Sequence, residues 1–295
     1  MDILIAGGTG LIGRKLAQQL ILKGNRVFIL SRKELHNSGE MLKFIQWNGK
    51  EIPETSYQFD VLINLTGEGV MDKSWTLERK KQIIESRTSS TFAFVDYINS
   101  AKKKPEVFIN ASAVGYYGER GDEVLTEESP LGKGFLAEVS DQWEKAASFS
   151  SIRTVLLRTG IVLANEGGFF KEIMRSYGFG FASWFGTGKQ GFPWIHIDDE
   201  IGLILFAIEN EKVNGAINLS APELLSNKEF IKKLCNVPGK RIAVSAPSFA
   251  LEIALGERAQ VLLVSQFVKP EKALVLGYKF KFPDAESAIK NLLIL

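Results

Sequence analysis

Residues 7–13 read Gly-Gly-Thr-Gly-Leu-Ile-Gly. Gly8, Gly10 and Gly13 fit the spacing G-x-G-x-x-G, while Gly7, Gly10 and Gly13 fit G-x-x-G-x-x-G. The physics is the same for both. A tight turn needs a residue without Cβ, Gly10 lets an anion approach the backbone, and Gly13 lets a following helix pack on a preceding strand. The first amides of such a helix carry partial positive charge, so the chemistry implied is the binding of a dinucleotide pyrophosphate. About 20 residues beyond such a loop, NAD binders place an acidic residue against the ribose 2′-hydroxyl. Here that stretch reads Ser31-Arg32-Lys33. Arg32 can pair bidentately with a 2′-phosphate and Ser31 can donate to it, so the expected cofactor is NADP(H).

The elements around this loop are the ones such chemistry needs. Ile3 to Ala6 is a short apolar run that suits a central parallel strand. Leu11, Ile12, Leu16, Leu20 and Ile21 recur at helical spacing until Gly24, and Val27 to Leu30 reads as a second strand. The alternation continues with strands at Val61–Leu65, Val107–Ala111 and Arg153–Arg158. Helices are predicted at Trp75–Ala101, Leu131–Phe149 and from Ile201 to Ile208. Strands spaced by helices predict an α/β fold, a Rossmann-type doubly wound parallel sheet. From about Gly160 the texture turns rich in glycine and aromatics. The reading is a dinucleotide-binding core over 1–160 and a substrate-side cap with a smaller C-terminal lobe over 161–295, interleaved with the core. In that lobe Ala250–Val264 reads as a helix, Tyr278–Phe282 as an edge strand, and Pro283-Asp284 as the opening of a last helix.

Composition narrows the function classes. The 295 residues carry 36 Lys+Arg against 34 Asp+Glu, a net charge of +2, which gives no reason to expect a nucleic-acid or membrane-surface partner. An apolar share of 45% excludes a disordered chain. The single cysteine, Cys235, excludes an internal disulfide and fits a reducing compartment. With only His36 and His196 besides, no structural zinc pattern exists and no metal is expected. The longest apolar stretch is far short of the roughly 20 residues of a membrane span, so a cytoplasmic protein is expected.

The opening loop and Asn64-Leu65-Thr66-Gly67 resemble the extended short-chain dehydrogenase/reductases. Four further stretches resemble its atypical, nucleoside-diphosphate-sugar epimerase-like branch: Ala111 to Gly118, Gly134 to Val139, Phe192 to Asp199, and Ala250 to Glu257, the last in the lobe characteristic of that branch. The resemblance implies NADP(H) contacts at Gly7, Gly10, Leu11, Ile12, Ser31, Arg32, Leu65, Thr66, Gln82 and Arg87, besides Gly13 of the loop. It also implies a small polar, sugar-like substrate. Most members of the wider family use Tyr-x-x-x-Lys, in which the Lys lowers the tyrosine pKa for proton exchange. No tyrosine here is followed by Lys at that spacing, and the matching helix carries Phe135 and Val139 instead.

The catalytic residues therefore stay open. Tyr117 and Ser112 follow a strand end and are the leading candidates. His196 with Asp198 or Asp199 is another set, with a buried structural histidine as its alternative. Glu138 and Asp141 form a possible acid/base pair or simply a solvated helix face. Gly186 to Gly191, with Lys189, is a candidate anion loop. Two functions are expected: an oxidoreductase or epimerase, or a non-catalytic protein that binds NADP(H) as a regulatory or sensory ligand.

Overall fold

A computed structural model describes residues 1–37, 39–236 and 241–294. Seven strands make the central sheet: β1 (Asp2–Ala6), β2 (Arg26–Ser31), β3 (Leu42–Gln46), β4 (Val61–Asn64), β5 (Val107–Ala113), β6 (Thr154–Thr159) and β7 (Gly215–Leu219). Their order is β7-β6-β5-β4-β1-β2-β3, and every pairing is parallel. The chain starts in the middle, winds out to β3, returns, and winds out the other way. The reversal between β1 and β4 leaves a crevice at the carboxyl ends, where ligands of such sheets bind.

Both sheet faces are covered, which is why the strands are apolar throughout. On one face α1 (Leu11–Leu22) and α4 (Ile197–Glu209) bury Leu16, Leu20, Ile201 and Ile204 against Ile3, Ile5 and Ile109. On the other, α2 (Leu77–Ser100) and α3 (Phe135–Ala147) bury Phe94, Ile98 and Ala147 against Leu4, Phe28 and Phe108. A separate aromatic core under the second half joins Phe170, Tyr177, Trp194, Phe230 and Ile289. β7 and α4, although they follow residue 160, complete the central sheet and its cover.

Several element boundaries differ from the sequence reading. α2 begins at Leu77, because the Thr76 hydroxyl caps it by accepting from the Arg79 amide. α3 begins at Phe135, after Gly134 turns through a φ of 102°. The helix read over Ala250–Val264 is broken: α5 (Ser248–Leu255) stops at Gly256, whose φ is 58°, and a 3-10 turn separates it from α6 (Gln260–Leu263). The expected edge strand at Tyr278–Phe282 is an irregular segment. The Asp199 carboxylate takes the amides of Lys281 and Phe282 and the Tyr278 hydroxyl, so those backbone donors go to a side chain instead of a neighbouring strand. The last helix, α7 (Ala285–Ile294), forms as read. Among the described residues no helix is long and apolar enough to cross a membrane.

Candidate functional site

The glycine loop joins β1 to α1. Gly7 takes a φ of 79°, and a Cβ there would lie 2.7 Å from the Leu65 carbonyl oxygen, so the loop presses against the end of β4. A Cβ on Gly13 would overlap the Gly7 carbonyl, which is the close helix–strand contact expected of the third glycine. Gly10 differs. Its Cβ would meet only the Gly7 carbonyl, at 3.3 Å, so its outer side is open. Gly10 is also the N-cap of α1 and offers no side-chain cap, and no acidic residue stands in the first turn. The first amides, at Leu11, Ile12 and Gly13, thus head a helix whose positive end is not already neutralised. This is a cradle that fits a phosphate group.

The other sequence-predicted residues lie at the ends of β2 and β4 and on α2. Ser31 ends β2, and its hydroxyl accepts from the Lys33 amide at 3.1 Å. The Arg32 side chain is 78% exposed, and its one ion pair among the described residues is a 4.0 Å approach to Glu68. Thr66 is held by Asn64: its hydroxyl donates to the Asn64 side-chain oxygen at 2.6 Å and its amide to the same atom at 3.2 Å. Arg87 reaches from α2 beneath this turn and donates to the Glu68 carbonyl at 3.0 Å and the Ile83 carbonyl at 2.9 Å. Burial pulls its pKa down to about 10. Gln82, exposed on the same helix, bonds Glu78 and accepts from Arg79, which itself pairs with Glu68. Glu68 therefore links Arg32 to the α2 pair Arg79 and Arg87.

Sequence reasoning gave no role to Asn64. It is fully buried and donates to Asn110 and Thr91, and Thr91 in turn accepts from the Trp143 indole. These bonds tie the ends of β4 and β5 to α2 and α3 and so fix the Thr66 turn. A polar residue at the end of an otherwise apolar strand was the available signal.

Tyr117 and Ser112 are placed elsewhere. Tyr117 is fully buried; its hydroxyl donates to Asn218 at 2.6 Å and accepts from Arg158 at 3.1 Å. Burial pushes its pKa up to about 12. Ser112 donates to Glu144 at 2.6 Å, and Glu144 holds Arg158 through two bonds of 2.9 Å. Both candidates belong to one internal network, and neither lines the cavity described below. His196 caps α4: its Nδ1 accepts from the Asp198 amide, and burial lowers its pKa to about 4, so it stays neutral. Asp198 pairs with Lys15 and Lys281. Glu138 bonds Gln142 and Asp141 bonds Lys145, both on an accessible helix face. Within the candidate anion loop, Thr187 accepts from the Lys189 amide and Gln190 donates to Phe185 and Leu262, so its bonds are internal. Cys235 is a buried free thiol. Among the described residues no cluster of His, Cys, Asp and Glu could hold a metal ion.

Beside the crevice lies a cavity of about 750 Å³. Its walls are the end of β5 at Ala113, the α3 face bearing Phe135, Leu136, Val139 and Trp143, then Phe169, Phe185 and Gln190–Pro193, and the C-terminal stretch Ala259–Val264. Phe135 and Val139, which the sequence resemblance sets against the usual Tyr and Lys, face this space. Phe135 packs edge-on against Trp75 with centroids 4.8 Å apart.

Residues 3–138 match the NAD dependent epimerase/dehydratase family, and residues 246–292 match a domain of unknown function. An epimerase family protein of Staphylococcus saprophyticus is 35% identical over 293 residues, covering 98% of both chains. The chain belongs to the epimerase family. YfhF, an epimerase family protein of Bacillus subtilis, is 33% identical over 99% of this chain and 98% of its own. In three dimensions the epimerase-family chain is similar to human epimerase family protein SDR39U1, solved with NADPH, at a TM-score of 0.90 and 31% identity over 99% of each. It is also similar to a nucleoside-diphosphate sugar epimerase of Corynebacterium glutamicum, at a TM-score of 0.81 and 32% identity, over 99% of this chain and 58% of that one. The doubly wound Rossmann fold and the atypical short-chain dehydrogenase/reductase character of the chain agree with these matches.

Proposed function

We propose that this epimerase-family protein binds NADP(H) in the crevice and is an oxidoreductase or epimerase acting on a small molecule held in the adjoining cavity. Gly7, Gly10, Leu11, Ile12 and Gly13 hold the pyrophosphate. Ser31 and Arg32 take the 2′-phosphate, and Leu65, Thr66, Gln82 and Arg87 complete the site. The observation that carries the reading is the exposed Arg32 guanidinium at the end of β2, where an NAD binder has a carboxylate. A 2′-phosphate there gains a charge-assisted pair with Arg32, whose present partner is the looser 4.0 Å approach to Glu68. The human relative's NADPH supports the same choice.

When bound, the nicotinamide supplies hydride exchange. This chain's own residues supply a cavity with Phe135, Val139 and Trp143 along one wall. They supply no titratable group at the α3 positions used for proton exchange elsewhere in the family. That favours a second reading, a non-catalytic NADP(H)-binding protein with a regulatory or sensory role. Calorimetric titration with NADPH and NADH tests the shared premise. The expected preference for NADPH is on the order of 10- to 100-fold, from roughly 1.5–3 kcal/mol for one charge-assisted bond. Equal affinities overturn it. NADPH oxidation across a panel of carbonyl compounds then separates the two readings.

A further inference from the structure

We infer that the cavity beside the crevice takes a predominantly apolar, ring-bearing molecule and not a nucleotide sugar. The inference rests on the proposed cofactor site, since the cavity is the space that adjoins it. Its volume, about 750 Å³, is that of a complete small-molecule site, for which roughly 300–1,000 Å³ is usual.

The wall chemistry carries the argument. Phe135, Trp143, Phe169, Phe185 and Phe192 all face the space. Phe169 meets Phe185 edge-on at 5.9 Å and Phe192 at 5.3 Å, a cluster that presents ring faces and edges to an occupant. The C-terminal segment adds Val261, Leu262, Leu263 and Val264.

The polar side chains of the wall are already engaged with the protein. Ser140 donates to the Leu136 carbonyl. The Gln190 amide nitrogen donates to the Phe185 and Leu262 carbonyls. The Gln266 amide nitrogen donates to the Val114 and Gly118 carbonyls. Glu119 accepts from the amides of Gly121 and Ser265, and Glu257 is paired with Lys80. Arg87 donates to the carbonyls of Ile83 and Glu68, and its remaining donors belong to the proposed cofactor site. Among the described wall residues, those whose polar side chains bond no other group are Lys133, Glu252 and Gln260, and all three are exposed.

A nucleotide sugar brings two phosphate charges and a ring covered in hydroxyls. Buried here, those groups would lose water and find few donors or acceptors in return, which is costly for each group left unpaired. An aromatic or polycyclic molecule loses little by leaving water and stacks on the rings. One polar substituent can stay near the exposed Lys133.

Equilibrium dialysis of the full chain, with and without saturating NADP⁺, compares 2-acetonaphthone with UDP-glucose as probes. The ketone is expected to bind at least ten-fold more tightly. Phe169→Ser, and separately Leu263→Asn in the C-terminal segment, each weaken it at least ten-fold while leaving the Kd for NADPH unchanged. Tighter or equal binding of UDP-glucose overturns the inference. So does absence of ketone binding, or ketone binding indifferent to both substitutions. Ketone binding of the expected strength by a protein that fails to bind NADPH overturns the cofactor reading alone.

Discussion

Glu200 lies in the first turn of α4, 1% exposed, with Oε1 accepting from the Thr159 hydroxyl at 3.0 Å and Oε2 bonded to nothing among the described residues. Burial pushes its pKa up to about 8, against an ordinary value of 4.5. The sign of the linkage follows. Below pH 4.5 the carboxyl is protonated both folded and unfolded and costs nothing. As the pH rises from there, the unfolded chain releases the proton and the folded chain keeps it, so stability falls until the folded group also ionises near pH 8. A one-unit difference in pKa is worth about 1.4 kcal/mol, so this group alone removes about 3 kcal/mol between pH 5 and pH 7.5. Glu200→Gln abolishes that loss. The buried amide adds an offset of its own, but the offset does not vary with pH, so the slope is the quantity to read. Urea unfolding followed by tryptophan fluorescence, for both proteins from pH 5 to 7.5, should show the variant gaining on the wild type by about 3 kcal/mol. Parallel stability curves over that range would refute the reasoning, and with it the neutral buried carboxyl.

Arg32→Glu should remove or reverse the preference for NADPH over NADH, read by calorimetry, without lowering the thermal midpoint of the unliganded protein, because the side chain is exposed. Gly10→Val should abolish dinucleotide binding yet leave a folded protein, since a Cβ there meets only the Gly7 carbonyl; an unchanged Kd would show that the loop is not the site. The wild type should turn over NADPH with simple ketones far below the median enzyme rate of about 10 s⁻¹, because general acid–base help worth roughly 10²–10⁴-fold is missing. Phe135→Tyr with Val139→Lys should raise that rate, and turnover near the median in the unaltered protein would contradict this account.

What was legible in the sequence was local. The glycine loop, the end of β2 and the end of β4 are each a few consecutive residues whose backbone geometry follows from their own side chains, and a parallel sheet brings their carboxyl ends to one edge. Tyr117 and Ser112 were not legible in that way. The partner of Tyr117 is 101 residues away at Asn218, and that of Ser112 is 32 away at Glu144, so their burial depends on contacts that no local pattern announces. Tyr278–Phe282 alternated as a strand should, but alternation specifies only which side chains face inward. The Asp199 carboxylate captured the backbone donors first. Gly256 was visible within its apolar run, and helical periodicity on both sides of it concealed the break.

The helix α3 joins these two kinds of residue. In the wider family its cavity face carries the proton-exchanging pair; here that face carries Phe135, Leu136 and Val139, packed with Trp75 and Ile83. One turn further on, Glu144 anchors Arg158, and through it Tyr117 and Asn218 of β7, while Trp143 bonds Thr91 of α2. The Glu144–Arg158 pair of α3 is thus directed into the protein, the Asp141–Lys145 pair lies on its accessible face, and the side that lines the cavity is apolar. A helix tied this firmly to β6, β7 and α2 holds its position whether or not it bears a tyrosine. The α3 wall that an occupant of the cavity meets is therefore apolar, with no titratable group at Phe135 or Val139.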